Sequence, residues 1–114
     1  MSEPVFFDSP EEMRAWLSSN HASADELWVG LYKKGASRSG ITMQGALDQA
    51  LCFGWIDTKG MRIDDERWKV RFVPRRPNSN WSERNITRVN ELKAGGLMAE
   101  PGLRAFERRA ADSA

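Results

Sequence analysis

The first apolar cluster, Val5-Phe6-Phe7, has the length of a short strand and is followed by Ser9-Pro10-Glu11-Glu12. A capping serine, a proline at the first helical position and a glutamate three residues after the serine together predict a helix start. Met13, Trp16 and Leu17 then recur at helical spacing, so this helix should bury one face and end near Asn20 or His21. From Leu27 to Tyr32 the pattern changes. Leu27, Val29 and Leu31 alternate with Trp28 and Tyr32, which predicts a strand apolar on both faces and central in its sheet. Lys33 to Gly40 is polar and contains glycine, which reads as a loop. Thr42 then caps a second helix with Met43, Leu47, Ala50 and Leu51 as its apolar stripe and Gly54 at its end.

From Trp55 the period becomes two. One run reaches Ile63 and a second runs from Arg67 to Val73, and the acidic turn Asp64-Asp65-Glu66 between them predicts an antiparallel hairpin. In the second run Trp68, Val70 and Phe72 share one face, whereas Arg67, Lys69 and Arg71 share the other, so the sheet should be half buried with a cationic outer row. Pro74 and Pro77 then enclose Arg75 and Arg76 in a stiff, non-helical connection. Asn80 with Glu83 forms a second capping box, opening a helix on which Trp81 and Asn85 stack at i, i+4 while Ile86, Val89 and Leu92 face inward. Gly95-Gly96 stops that helix. Pro101 begins a last short helix with Leu103 and Phe106 inward.

These elements predict one α+β domain over residues 1–106, followed by a polar tail, 107–114, that frays. In it a small, mainly antiparallel sheet of about four strands packs against three to four helices. A chain of 114 residues is long enough to bury about two thirds of its unfolded surface without a disulfide or a structural metal. One cysteine, Cys52, and one histidine, His21, exclude a disulfide framework within the chain and leave too few soft ligands for a zinc site, so no cofactor is expected. Cys52 reads as buried packing and His21 as a solvated helix-end residue. The start, Met1-Ser2-Glu3-Pro4, lacks the basic and apolar regions of a signal peptide, and no window approaches ~18 apolar residues. The expectation is a cytoplasmic protein with no direct membrane insertion.

A formal net charge of +1 conceals an asymmetry. Residues 1–58 carry four basic and eight acidic groups, residues 59–88 nine and four, and residues 89–114 four of each. The basic character is therefore regional and suited to focusing an anion locally. Three of the five tryptophans, Trp55, Trp68 and Trp81, fall in or beside the same region.

The candidate ligand-binding residues are Trp55 and Asp57 at the helix-to-strand junction, Arg71 on the hairpin, Arg75 and Arg76 between the prolines, and Trp81 with Asn85 on the following helix. Guanidinium groups bind phosphate or carboxylate in a bidentate manner, and an indole stacks a base, a sugar or another ring. Each residue also has a plainer reading: the tryptophans as core packing, Asp57 with a nearby arginine as a structural ion pair, and Arg67, Lys69 and Arg71 as a solvated face that discourages edge pairing. There is no phosphate-binding glycine loop, no nucleophile elbow and no two-histidine metal motif, and the serines Ser37, Ser39, Ser79 and Ser82 sit in loop and cap settings.

Four blocks carry a resemblance: Leu27 to Lys34 (LWVGLYKK), Ala50 to Asp57 (ALCFGWID), Arg71 to Pro77 (RFVPRRP) and Trp81 to Asn85 (WSERN). In order and spacing they resemble the bacterial YdeI/OmpD-associated family, also called bacteriocin-protection proteins, over Phe6 to about Phe106. The resemblance implies a link to tolerance of antimicrobial peptides and, through the family's name alone, an association with a porin. It implies no catalytic residue and no cofactor. Members of that family continue into a helical carboxy-terminal part rich in Lys and Arg, which this chain lacks after Ala114.

The leading expectation is thus a non-catalytic binding or stress-protection module with an Arg- and Trp-lined anion site, whose partner is a small anionic ligand or a protein. The alternatives are an enzyme of unknown reaction with Asp57 as acid or base, and a binder of single-stranded nucleic acid. The near-neutral total charge argues against the last, because dedicated nucleic-acid domains are usually basic overall.

Overall fold

The computed structural model of the protein describes residues 3–77 and 80–112, with side chains given up to Arg109. Ser79 and the last two residues of the polar tail lie outside that range. The elements follow in the order α1 (Pro10–Asn20), β1 (Leu27–Tyr32), α2 (Met43–Cys52), β2 (Trp55–Arg62), β3 (Arg67–Pro74), α3 (Glu83–Ala94) and α4 (Glu100–Asp112). The class is α+β, with four helices among the described residues.

Among the described residues the sheet has three strands in the order β1-β3-β2, both pairs antiparallel, rather than about four. The Val5 segment makes only an isolated parallel bridge to Val29, held by Val5 N–H to the Trp28 carbonyl at 2.8 Å and Gly30 N–H to the Val5 carbonyl at 2.9 Å. This places β3, not β1, at the centre. Register explains the choice, because β3 pairs Leu27 to Tyr32 on one side and Trp55 to Arg62 on the other.

Alternation along the strands decides the burial. Leu27, Val29 and Leu31 of β1 face Phe72, Val70 and Trp68 of β3 across the ladder, and all except Trp68 are buried. Met13 and Leu17 of α1, Ala46, Ala50, Leu51 and Cys52 of α2, and Val89 and Leu92 of α3 complete the same core. Trp55 sits at its centre, 1% exposed, with Trp16 edge-on at 6.0 Å.

The helix caps follow local chemistry. Ser9 and Thr42 accept from the Glu12 and Gly45 N–H groups. At α3 the cap is Ser82, whose hydroxyl accepts from Asn85 N–H at 3.1 Å, so the helix begins at Glu83 and not around Trp81. The Ser82 hydroxyl reaches the third N–H after it, which displaces the Asn80 box from that role. The last helix runs on through Asp112, past Phe106, where fraying was expected.

Gly54 connects α2 to β2 with φ +75°, a backbone conformation that side chains with a Cβ resist. Its carbonyl accepts the Arg75 N–H at 2.9 Å, so the turn that ends α2 also anchors the connection after β3.

Candidate functional site

Adjacent in sequence and identical in charge, Arg75 and Arg76 have opposite surroundings. Arg75 is 6% exposed. Its guanidinium lies 3.8 Å above the Trp81 ring and donates to the Asn80 carbonyl at 3.0 Å. Burial pulls its pKa down to about 10, against the opposing pull of the Asp57 charge, and it remains a cation at neutral pH. Trp81 in turn packs edge-on against Phe106 at 5.5 Å, and Arg109 caps Phe106 at 4.5 Å. A ladder of alternating cations and rings thus ties the proline-framed connection to α4. Arg76 is exposed and has no ion-pair partner among the described residues.

A groove of about 650 Å³ opens where β3 runs into this connection, lined by Asp25, Ile56, Thr58, Arg71, Val73 and residues 74–77. The rigid prolines, the Gly54 anchor and the Trp81 stack hold its backbone. Arg71 reaches it from the outer face of β3, where its Nε donates to Glu26 at 2.6 Å. A bulge between Asp57 and Lys59 turns Thr58 toward β3, so that its hydroxyl donates to the Arg71 carbonyl at 3.3 Å. Arg71 and Arg76 supply forked donors suited to phosphate or carboxylate, and the buried Arg75 adds its charge beside them.

Of the seven candidate residues, the fold brings Arg71, Arg75 and Arg76 together. Trp55 is sealed in the core, out of reach of any ligand. The Trp81 ring holds Arg75 and Phe106. Asp57 is exposed on β2 and faces Phe72 across the ladder, outside the groove lining. Asn85 lies on α3 beside a different depression, of about 460 Å³, between α2 and α3. There Arg88 binds Asp48 through two nitrogens, at 2.8 and 2.7 Å. Burial raises the Asp48 pKa, but hydrogen bonds from Arg88 and Gln44 together with the Arg88 charge outweigh it and hold the group below its ordinary value.

The residue that sequence reasoning passed over is Trp28. It stands opposite Arg71 in the ladder, on the outer face, with the Lys69 ammonium 4.7 Å and the Lys59 ammonium 5.9 Å from its ring centre. The period-two alternation of β1 already placed it on the face opposite Val29, and pairing with the cationic row of β3 is what the linear sequence does not state.

Cys52 is buried, and burial raises its thiol pKa against the opposing influence of Arg14. Among the described residues, no cluster of three or more His, Cys, Asp and Glu is placed to hold a metal ion, and no helix is long and apolar enough to cross a membrane.

Residues 5–105 match a family described as a domain of unknown function (DUF8412). No curated protein and no solved structure matches the chain.

Proposed function

We propose that this chain, which belongs to the DUF8412 family of unknown function, is a non-catalytic binding module of the cytoplasm that holds an anionic group in the arginine-lined groove. The observation that carries the reading is the convergence of Arg71, Arg75 and Arg76 on one groove whose backbone is fixed by prolines and by the Arg75–Trp81 stack. In this arrangement Arg76 meets the ligand, Arg71 supplies a second fork and Arg75 contributes positive field from behind. Because Arg71 is already held by Glu26 and Arg75 by Trp81, Arg76 is the one long side chain of the three that must be ordered on binding. The four blocks that resemble the YdeI/OmpD-associated proteins add a physiological setting, protection against antimicrobial peptides.

The test is a titration of the labelled protein with inorganic pyrophosphate and with acidic metabolites, followed by proton–nitrogen NMR. The Arg71 and Arg76 backbone signals should move together. Arg76→Ala should weaken pyrophosphate binding by about tenfold, the loss of one charge-assisted contact, with the melting midpoint unchanged. An unperturbed wild-type spectrum across that panel sinks the reading.

A further inference from the structure

Arg71 lines the groove and also stands opposite Trp28 on the outer face of the sheet, and the geometry points to that whole face as a platform for single-stranded nucleic acid, with the arginine groove as its phosphate-binding end. This inference rests on the anion-binding reading above and names its ligand class.

The core lies on one side of the sheet, and the opposite side carries chemistry of another kind. Its cross-strand rows set Trp28 beside Arg71 and Lys59, Gly30 beside Lys69 and Met61, and Tyr32 beside Arg67. Gly30 has a specific reason. A Cβ there would meet the Phe6 ring at 2.5 Å, so the missing side chain lets Phe6 lie against the strand. Phe6 then contacts Tyr32 at 5.2 Å, and Arg67 lies 5.6 Å from the Phe6 ring centre. Met61 beside them is 46% exposed. Aromatic rings therefore occupy both ends of the face, interleaved with cations.

The charges on this face are not all spent internally. Arg67 is bound by Asp64 and Arg71 by Glu26, and Asp25 lines the groove. Lys59, Lys69 and Arg76 have no carboxylate partner among the described residues, and the two lysines rest on the Trp28 ring. An ammonium over a half-buried indole at the protein surface is a weak, displaceable contact. A base stacking on Trp28 would take that place, and the released lysine would reach the neighbouring phosphate. Sheet faces that stack bases on aromatic side chains while cations track the backbone are a recurrent solution for single strands, and each stacked base contributes appreciably without demanding a sequence. From Arg67 to Arg75 the face extends about 26 Å at ~3.3 Å per residue, enough for several nucleotides.

The near-neutral total charge does not oppose this. The acidic excess belongs to residues 1–58, and residues 59–88, which supply the second half of β2, all of β3 and the connection, carry nine basic groups against four acidic ones. Local potential rather than net charge steers a polyanion.

The experiment is fluorescence anisotropy of the full chain with labelled oligothymidylate and oligouridylate of about ten nucleotides, within the span single domains of this kind occupy. An abasic oligomer of equal length and inorganic pyrophosphate are titrated in parallel. Binding of either base-bearing oligomer, tighter than the abasic one, is expected, and the tighter of the two identifies DNA or RNA as the preferred source. Trp28→Thr should weaken it by about fivefold or more while Trp28→Phe retains most of the affinity. Lys59→Gln with Lys69→Gln should flatten the salt dependence by about 0.7 logarithmic units per lysine. Should Trp28→Thr fail to fold, displacement of the wild-type Trp28 indole signal by the oligomer, together with the lysine pair, decides the matter. Equal binding of the abasic and base-bearing oligomers overturns the platform and leaves the groove intact. Pyrophosphate bound in the absence of any oligomer binding does the same, and failure of all four probes overturns both readings.

Discussion

The two faces of the sheet are built from alternate residues of the same strands, yet they behave as different materials. On β3, Val70 and Phe72 are removed from water beneath the helices, whereas Arg67, Lys69 and Arg71 stand between them on the other side and keep their charges hydrated or paired. Burying the first set provides the driving force for folding, at about 25 cal/mol for each Å² of apolar surface removed. The second set contributes little to stability, because exposed pairs gain little beyond what water already offers them. A strand can therefore vary its outer row at small cost, and that freedom is what leaves the outer face available for binding.

The contrast can be broken most severely from the inside. Phe72→Ala, at a fully buried position, should cost about 3–5 kcal/mol, measured as the shift in urea midpoint at constant slope. The next largest effect separates the two neighbouring arginines. Arg75→Ala removes the stack on Trp81 and leaves the Asn80 carbonyl without its donor, so about 2 kcal/mol should be lost, while Arg76→Ala should stay within about 0.5 kcal/mol. Equal effects in the same denaturation series would erase the distinction between a buried and a ligand-facing arginine.

A smaller effect sharpens the comparison through pH. Asp48 is held below its ordinary pKa near 3.8, so the unfolded chain binds its proton more readily than the folded one. Its stabilising contribution is present above that pH and is lost as pH falls through the folded value. Asp48→Asn should remove about 1 kcal/mol at neutral pH and flatten the acid limb of a stability profile. At the bottom of the scale, Arg62→Ala should leave the melting midpoint unchanged. Its ion pair with Asp65 joins two exposed side chains on the hairpin turn. A clear loss there would show that the hairpin depends on its surface charges.

Much of the fold was legible in the linear pattern. The hairpin, the outward cationic row, the caps at Ser9 and Thr42 and the stop at Gly95-Gly96 depend on local spacing, hydrogen-bonding chemistry and turn residues, which act over a few positions. The start of α3 was missed because Asn80 and Ser82 both have capping side chains, and their choice depends on which backbone N–H the connection brings within reach. The place of β1 differs from the expected central one because apolar residues on both of its faces imitate a central strand. Trp28 and Tyr32 are instead half covered by lysines and by Phe6, without a helix over them.

The candidate site divides along the same line. Sequence by itself determined the inventory: arginines held between prolines, a cationic row on alternate residues, and aromatics close by. Only the tertiary structure decided which arginine would be buried, that Trp55 would belong to the core, and that Trp28, more than forty positions before Arg71, would stand beside it. Arg75 and Arg76 have the same side-chain chemistry and nearly the same neighbours along the chain. The anchor at Gly54 and the ring of Trp81 distinguish them, and both contacts exist only once the folded chain brings these groups against Arg75.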